Sequence, residues 1–209
     1  MASRSFGPPG AHASSVSGTI GKDELRQRFR AMRASLPAEQ SVAKSRRAQE
    51  HILDLRHWRE AQTVLLYVGC RGETATDLLL QSAWQEQKTV LLPRCLPATP
   101  GEMELACVRS QHDLAPGLYS IPEPDPTTCS PVEPERVDLI VVPALAFDRR
   151  GFRLGQGGGY YDRLLVSQPY TNSLAIGLAF DFQVVRSLPV DGWDRPVAAV
   201  ASDKELIWT

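Results

Sequence analysis

Three observations on this chain point to an α/β layered domain with a helical N-terminal segment. Apolar runs of strand length alternate with stretches of helical periodicity. The longest run, residues 139–147 (LIVVPALAF), has the unbroken hydrophobicity of a strand covered on both faces, and a glycine-rich turn follows it at 155–159. The 209 residues are 43% hydrophobic and 22% charged, near the average for a soluble globular chain, and one contiguous core is expected over residues 22–209. Lys and Arg number 23 against 24 Asp and Glu, a formal net charge of −1. No global positive field then draws the chain to nucleic acid or acidic lipid, and any anion site has to be built locally. The longest apolar stretch is about half of the roughly 20 residues a membrane helix needs, so neither a membrane nor a nucleic-acid partner is expected. Cys70, Cys95, Cys107 and Cys129 lack CxxC spacing and nearby histidines, which fits reduced thiols of a cytoplasmic protein better than a zinc site or a disulfide framework. Residues 1–21, rich in Gly, Ser, Ala and Pro and without the apolar segment of a secretory signal, are expected to form a disordered tail.

From Lys22 the pattern turns helical: Leu25, Phe29 and Met32 recur on one face, with basic residues on the others up to Arg33. Pro37 opens a second helix whose apolar positions are Val42, Ala43, Ala48, Ile52 and Leu55, and whose exposed side carries Lys44, Arg46 and Arg47. Residues 63–69 (TVLLYVG) and 89–92 (TVLL) read as strands with a helix over 77–87 between them. Such a βαβ unit calls for a parallel sheet with a right-handed crossover. Residues 103–109 are a further strand candidate. The stretch 116–134 is rich in proline (Pro122, Pro124, Pro126, Pro131), which central strands tolerate poorly, so an irregular connection is expected, either a binding loop or a plain surface excursion. Residues 137–147 (VDLIVVPALAF) are the strongest strand signal and should lie centrally. A helix over 160–166, a strand over 173–180 (SLAIGLAF) and a last strand over 197–201 complete the order.

The chemistry concentrates in 151–163 (GFRLGQGGGYYDR), directly after the best strand and before a helix. In parallel α/β sheets ligands bind beyond the carboxyl ends of strands, and glycines there let backbone amides approach phosphate oxygens. The dinucleotide fingerprint GxGxxG fails, because Tyr160 stands where its last glycine belongs, and the Gly-Lys-Ser/Thr of a Walker loop is missing. Arg153 and Arg163 flank the glycines, which favours an anion-binding loop of another kind over a turn that serves tight packing alone.

Together with the preceding FDRRG, the element RLGQGGGYYDR resembles the signature of the 5-formyltetrahydrofolate cyclo-ligases, also called 5,10-methenyltetrahydrofolate synthetases. KDELR at 22–26, GETAT at 72–76, LPR at 92–94, IPEP at 121–124 and GLAFDFQVVRSLPVDGWD at 177–194 fall in the family's order. The resemblance runs from about Lys22 to the C-terminus. It implies a three-layer Rossmann-like sandwich with a mostly parallel sheet, of the NagB/RpiA/CoA-transferase-like type. It also implies a ligase that closes the N5-formyl group of 5-formyltetrahydrofolate onto N10, using ATP with Mg2+ and giving 5,10-methenyltetrahydrofolate, ADP and phosphate. A formyl amide oxygen is a very poor leaving group. Phosphorylating it yields an iminium phosphate that N10 can attack, after which phosphate departs. Positioning and charge neutralisation should carry most of such a reaction.

The resemblance also implies roles for individual residues. Lys22 and Arg26, one helical turn apart, would contact ATP phosphates; without the resemblance such a pair is an ordinary solvated face. Arg153 with Leu154, Gly155, Gln156, Gly157, Gly158, Gly159, Tyr160 and Tyr161 would form the nucleotide loop, and Gln156, Gly157, Gly158, Gly159 and Tyr160 would also border the folate. The implied catalytic residues are Arg153, Tyr160 and Asp162. Family members can carry lysine where Gly158 stands, so here the phosphate charge falls to Arg153, Lys22, Arg26 and magnesium. Asp162 and Asp194 match the magnesium positions, and two carboxylates suffice for an ion that completes its octahedron with water and phosphate oxygens. Taken alone, Asp162 reads as a helix-start acid favoured by the dipole. Bacterial relatives often place histidine where Trp193 stands. Glu73 matches a folate-contacting glutamate, whose carboxylate can accept two N–H donors of a pterin. Val68 matches an apolar wall, and Tyr119 would stack on the pterin. The expected partners are 5-formyltetrahydrofolate and ATP, bound by a cytoplasmic monomer. Two other readings compete: a folate- or nucleotide-binding regulatory or RNA-associated protein on the same fold, and a kinase or isomerase acting on a sugar phosphate. The balanced charge and the lack of an aromatic and basic RNA motif argue against the RNA-associated one.

Overall fold

The computed structural model describes residues 21–96, 99, 102–117 and 121–209. The expected tail, up to residue 20, and Tyr119 lie outside these. In chain order the elements begin with α1 (Lys22–Ala34), α2 (Ala38–Leu53), α3 (Arg56–Glu60), β1 (Thr63–Leu65), α4 (Asp77–Gln85), β2 (Thr89–Cys95) and β3 (Met103–Cys107). Next come β4 (Leu114–Pro116), β5 (Pro122–Pro124), β6 (Pro131–Val132), β7 (Leu139–Val142), β8 (Ala146–Asp148), β9 (Arg153–Leu154) and α5 (Tyr160–Val166). The chain ends with β10 (Leu174–Leu178), β11 (Val184–Val185), β12 (Ala199–Ala201) and β13 (Leu206–Trp208).

Period-2 alternation through the central strands creates two cores, one on each face of the main sheet. Val64, Val90, Leu139, Val141 and Ile176 point to one side, where Ala48 and Ile52 of α2, Trp58 of α3 and Leu79 of α4 cover them. Their neighbours Leu65, Leu91, Ile140, Val142 and Ala175 point to the other, against Leu164 of α5. The main sheet has the order β13-β12-β10-β7-β1-β2-β3-β6. Its middle, from β12 to β2, is parallel, with Val64 of β1 opposite Val90 of β2 and Leu139 of β7. Antiparallel strands close both edges. The result is the expected mixed α/β layering with a mostly parallel sheet, and β7 lies centrally as expected.

Several expectations need correction. The continuous strand over 137–147 is two strands in two sheets: β7 ends at Val142, and β8 belongs to a three-stranded sheet of order β11-β8-β9. Pro143 stands at the break, where its missing N–H cannot serve a central ladder. The further strand expected over 103–109 is present but shorter, as β3, and pairs antiparallel with β2. The proline-rich stretch is not wholly irregular: β5 pairs with β4, and β6 sits at the sheet edge, where proline is tolerated. On α2, Val42 is 70% exposed, whereas Ser45, Ala48, Gln49 and Ile52 are buried. Lys44 is not on the solvated side either, since its Nζ lies 2.5 Å from Asp203, which is buried. No described helix is long and apolar enough to cross a membrane.

Two features of this frame place the loops. After β1 the chain crosses to α4 on one face, and after β7 it reaches α5 on the other, so the connections diverge between two adjacent parallel strands. Ligands of open α/β sheets bind in the crevice beyond such a switch point. Meanwhile the fully buried Asp148 accepts N–H bonds from Arg150 (2.9 Å), Phe152 (3.1 Å) and Leu188 (3.0 Å), tying the β8–β9 turn to the segment that leads into Asp191 and Asp194. Phe29 of α1 packs with Leu145, Ala146, Leu154 and Leu188 on the small sheet.

Gly177 in β10 makes room for Phe147: a Cβ there would lie 2.4 Å from the ring, which is fully buried. Gly177→Ala should therefore cost about 1–3 kcal/mol through overpacking. Urea unfolding would show this as a lowered midpoint at unchanged slope.

Candidate functional site

Lys22, Arg26, Arg30 and Arg33 recur at spacings that align them in one stripe along α1, beside the apolar stripe that packs on the small sheet. Each cation meets a different part of the loops beyond the switch point. Lys22 Nζ lies 2.7 Å from Oδ2 of both Asp191 and Asp194. Arg26 Nε donates to the Gly155 carbonyl at 3.1 Å, and its Nη1 pairs with Asp23 at 2.5 Å. Arg30 donates twice to Gln156 Oε1, at 3.0 and 2.8 Å. Arg33 reaches the turn after β1.

The glycine loop, α1 and the segment 191–195 enclose a cleft of about 570 Å3. Lys22, Arg26, Arg153, Arg163 and Arg195 line it against the carboxylates Asp162, Asp191 and Asp194, an excess of positive charge in a chain whose net charge is −1. In a chain of balanced overall charge, this is a local concentration of cations. Burial disfavours the charged form of Asp194, but hydrogen bonds from Lys22 and the Asp191 N–H, with the charges of Lys22 and Arg153, outweigh it and hold the carboxyl below its ordinary range. Burial likewise opposes the charge on Lys22, and its two aspartate partners more than restore it. Arg153 is 8% exposed and engaged at both ends of its fork: Nη2 pairs with Asp162 Oδ1 at 2.5 Å, and Nη1 donates to the Arg195 carbonyl at 2.6 Å. The Arg195 N–H meets the same Asp162 oxygen at 3.2 Å.

Within the loop, Gly157 (φ 112°) and Gly159 (φ 67°) adopt left-handed conformations that side chains rarely take, and Gly159 caps α5. Position 158 is closed for another reason, since a Cβ there would lie 2.5 Å from the Tyr160 ring. A side chain at this place requires the Tyr160 ring to move aside. Arg163 instead reaches back over the Tyr160 ring, 5.8 Å from its centroid, and donates to the Gly158 carbonyl at 2.7 Å.

The turn after β1 is built differently. Arg71 (φ 46°) and Gly72 (φ 74°) are successive left-handed residues, so the backbone folds tightly back on itself. Glu73 follows, with its side chain 14% exposed. Its contacts are long: Oε1 is 3.6 Å from Arg33 Nη2, while Oε2 meets the Cys70 N–H at 3.4 Å and Cys70 Sγ at 3.6 Å. The carboxylate therefore retains acceptor capacity. Burial first, then the charge of Glu73, pushes the Cys70 thiol up to about 11. Tyr67, fully enclosed, donates its hydroxyl to the Thr74 carbonyl at 2.8 Å. Burial raises that hydroxyl well above its usual value, and the charges of Glu73 and Tyr161 add to the effect, which puts the turn and the head of α5 in one neighbourhood.

The structure thus brings together Lys22, Arg26, Arg153, Leu154, Gly155, Gly157, Gly158, Gly159, Asp162 and Asp194 around one cleft. Gln156 lies on the same loop under Arg30. Tyr160 faces a second cleft, of about 530 Å3, across α5 with Met103 and Tyr170. Tyr161 packs into the core beneath α5. Val68 lines a third, largely apolar cleft of about 420 Å3 with Leu80, Trp84 and Leu114. Among the described residues no group of three or more His, Cys, Asp or Glu could hold a metal by itself, so a cation here would rest on the two carboxylates and its ligand. Sequence reasoning missed Arg30 and Arg33, although both continue the 22/26 spacing, and it missed Asp191 and Arg195, which flank Asp194.

A model of the 5-formyltetrahydrofolate cyclo-ligase family matches residues 19–203. The 5-formyltetrahydrofolate cyclo-ligase of Haemophilus influenzae is 32% identical over 176 residues, covering 84% of this chain and 94% of that protein. The Escherichia coli cyclo-ligase is 32% identical over 182 residues, covering 87% and 98%. Among solved structures, the 5,10-methenyltetrahydrofolate synthetase of Aquifex aeolicus superposes with a TM-score of 0.77 at 35% identity, over 90% of this chain and 92% of that one. The Mycoplasma pneumoniae synthetase shares the fold, with a TM-score of 0.68 at 21% identity. With a family model spanning the described domain and relatives aligned along nearly their whole length, this chain belongs to the 5-formyltetrahydrofolate cyclo-ligase family.

Proposed function

We propose that this chain cyclises 5-formyltetrahydrofolate to 5,10-methenyltetrahydrofolate with consumption of MgATP, the formyl oxygen being phosphorylated and then displaced by N10. One juxtaposition carries the proposal. One helix, α1, holds both a glycine loop with an excess of cations and a turn that presents an incompletely bonded carboxylate. The first suits a polyphosphate, and the second suits the paired N–H donors of a pterin.

The side-chain contacts refine the roles implied by the resemblance. Lys22 and Arg26 face the cleft and serve the phosphates. Arg153, buried and committed to Asp162 and the Arg195 carbonyl, acts by holding Asp162 in place rather than by touching phosphate itself. Asp162 and Asp194 suit magnesium as a pair of carboxylates, and the ion would neutralise phosphate charge there. Gly157, Gly158 and Gly159 let the loop backbone approach the nucleotide, while Tyr160, at the junction with the second cleft, borders the folate together with Gln156. Glu73 reads the pterin and Val68 supplies an apolar wall; Tyr119 keeps its proposed stacking role from the sequence. Action as a monomer in the cytoplasm belongs to the same reading.

Methenyl absorbance should grow from 5-formyltetrahydrofolate only when MgATP is present; no ATP-dependent product would reject the assignment. Glu73→Gln should raise KM for the folate about tenfold or more, the scale of a lost charge-assisted contact, with MgATP affinity retained. In steady-state kinetics Lys22→Ala should raise KM for MgATP by a similar factor of about ten, and an unchanged constant would remove Lys22 from the phosphate site.

A further inference from the structure

Arg33 is 4% exposed, and a guanidinium cannot shed its proton to escape such burial. Its donors converge on one turn. Nε meets the Gly72 carbonyl at 2.9 Å, and Nη2 meets the carbonyls of Arg71 and Cys70 at 3.0 and 3.2 Å. Three successive carbonyls can face one guanidinium because Arg71 and Gly72 both hold left-handed conformations. Nη1 is buried without a hydrogen-bond partner among the described residues, so the arrangement is not the best that the charge could find for itself. A bidentate pair with Glu73 would bind more strongly. Instead Glu73 Oε1 stays 3.6 Å away, near enough to balance the charge and too far to surrender its lone pairs.

We propose that Arg33 is the positioning residue for Glu73: it grips the backbone of the 70–73 turn so that the carboxylate is held in place yet left open for the substrate. The inference rests on the function proposed above, in which Glu73 receives the pterin. It goes beyond local stability because α1 also carries Arg26 and Arg30, which hold the glycine loop. From Lys22 to Arg33 the helix spans about 16 Å. One rigid rod thus fixes the separation between the loop that takes the phosphates and the turn that takes the pterin.

Arg33→Lys tests this, because it keeps the charge and removes the planar fork that serves three carbonyls at once. The expected result, assayed below the unfolding transition, is a KM for 5-formyltetrahydrofolate raised about tenfold with KM for MgATP nearly unchanged; the melting temperature should fall, because buried carbonyls lose their donors. In a Glu73→Ala background the same substitution should add nothing to the folate KM, since both changes act through one carboxylate. Gly72→Ala, which strains the turn from its own side, should reproduce the folate effect while leaving Arg33 intact. A readout independent of turnover comes from Cys70, whose thiol titrates near 11. Peptide-resolved alkylation by iodoacetamide at neutral pH should be slow in the unaltered protein and several-fold faster once the turn is released. An unchanged folate KM in both variants, or an equal loss toward both substrates, overturns the proposal. If the unaltered protein fails to turn over 5-formyltetrahydrofolate, the functional reading falls, and the grip of Arg33 on the turn is still decided by Cys70: unchanged alkylation in Arg33→Lys overturns it.

Discussion

Everything at this site leans on a row of cations along one helix. Lys22, Arg26, Arg30 and Arg33 meet, in order, two aspartates of the 191–194 segment, a carbonyl of the glycine loop, a glutamine on that loop, and the turn after β1. None of these four partners is near α1 in sequence, so the helix acts as a seam joining segments that the sheet topology delivers separately. Exposed ion pairs contribute little to stability by themselves. The value of the row is geometric: it sets the mutual placement of loops that otherwise have few packing constraints. Its cations are all engaged with protein partners, so under the proposed function an entering polyphosphate would exchange partners with the protein rather than fill an unprepared surface.

A proline makes that convergence possible. Had 137–147 continued as one strand, the glycine loop would have emerged further along the axis of the main sheet. The break at Pro143 diverts the chain into a second small sheet, and the β8–β9 turn then feeds the loop back toward α1. Asp148 reinforces the diversion by accepting backbone N–H bonds from two residues of the turn and from Leu188 of the segment beyond β11. The cation-lined cleft is thus the product of one interrupted strand, one buried carboxylate and one basic helix.

Much of this was legible beforehand, and the reasons differ by residue. The central parallel strands declared themselves because burial on both faces leaves only apolar side chains, as at Leu139, Ile140, Val141 and Val142, all fully buried. The glycine loop was legible from composition and place. The strands β9, β11 and β13 were not, because two or three residues carry no measurable period. Val42 misled because a helical pattern assigns an apolar residue to the nearest face, whereas α2 buries Ser45 and Gln49 for their hydrogen bonds to Ala75 and Leu79. Arg33 stayed hidden for the opposite reason: a basic residue on an amphipathic helix reads as solvated, and only tertiary structure reveals the carbonyls that draw it inward. Arg153 was legible as a site residue, but its commitment to Asp162 depends on a contact that no spacing in the chain discloses.

The packing of Tyr160 over Gly158 constrains how this loop can diverge among descendants. A side chain at 158 meets the tyrosine ring as it stands, and Arg163 already spans that ring to bind the Gly158 carbonyl. A lineage moving toward a loop lysine must first shrink or swing residue 160, and the arginine then loses the surface it stacks on. The three positions are coupled through one ring, so an exchange at 158 grafted from a relative is felt at 160 and 163 as well.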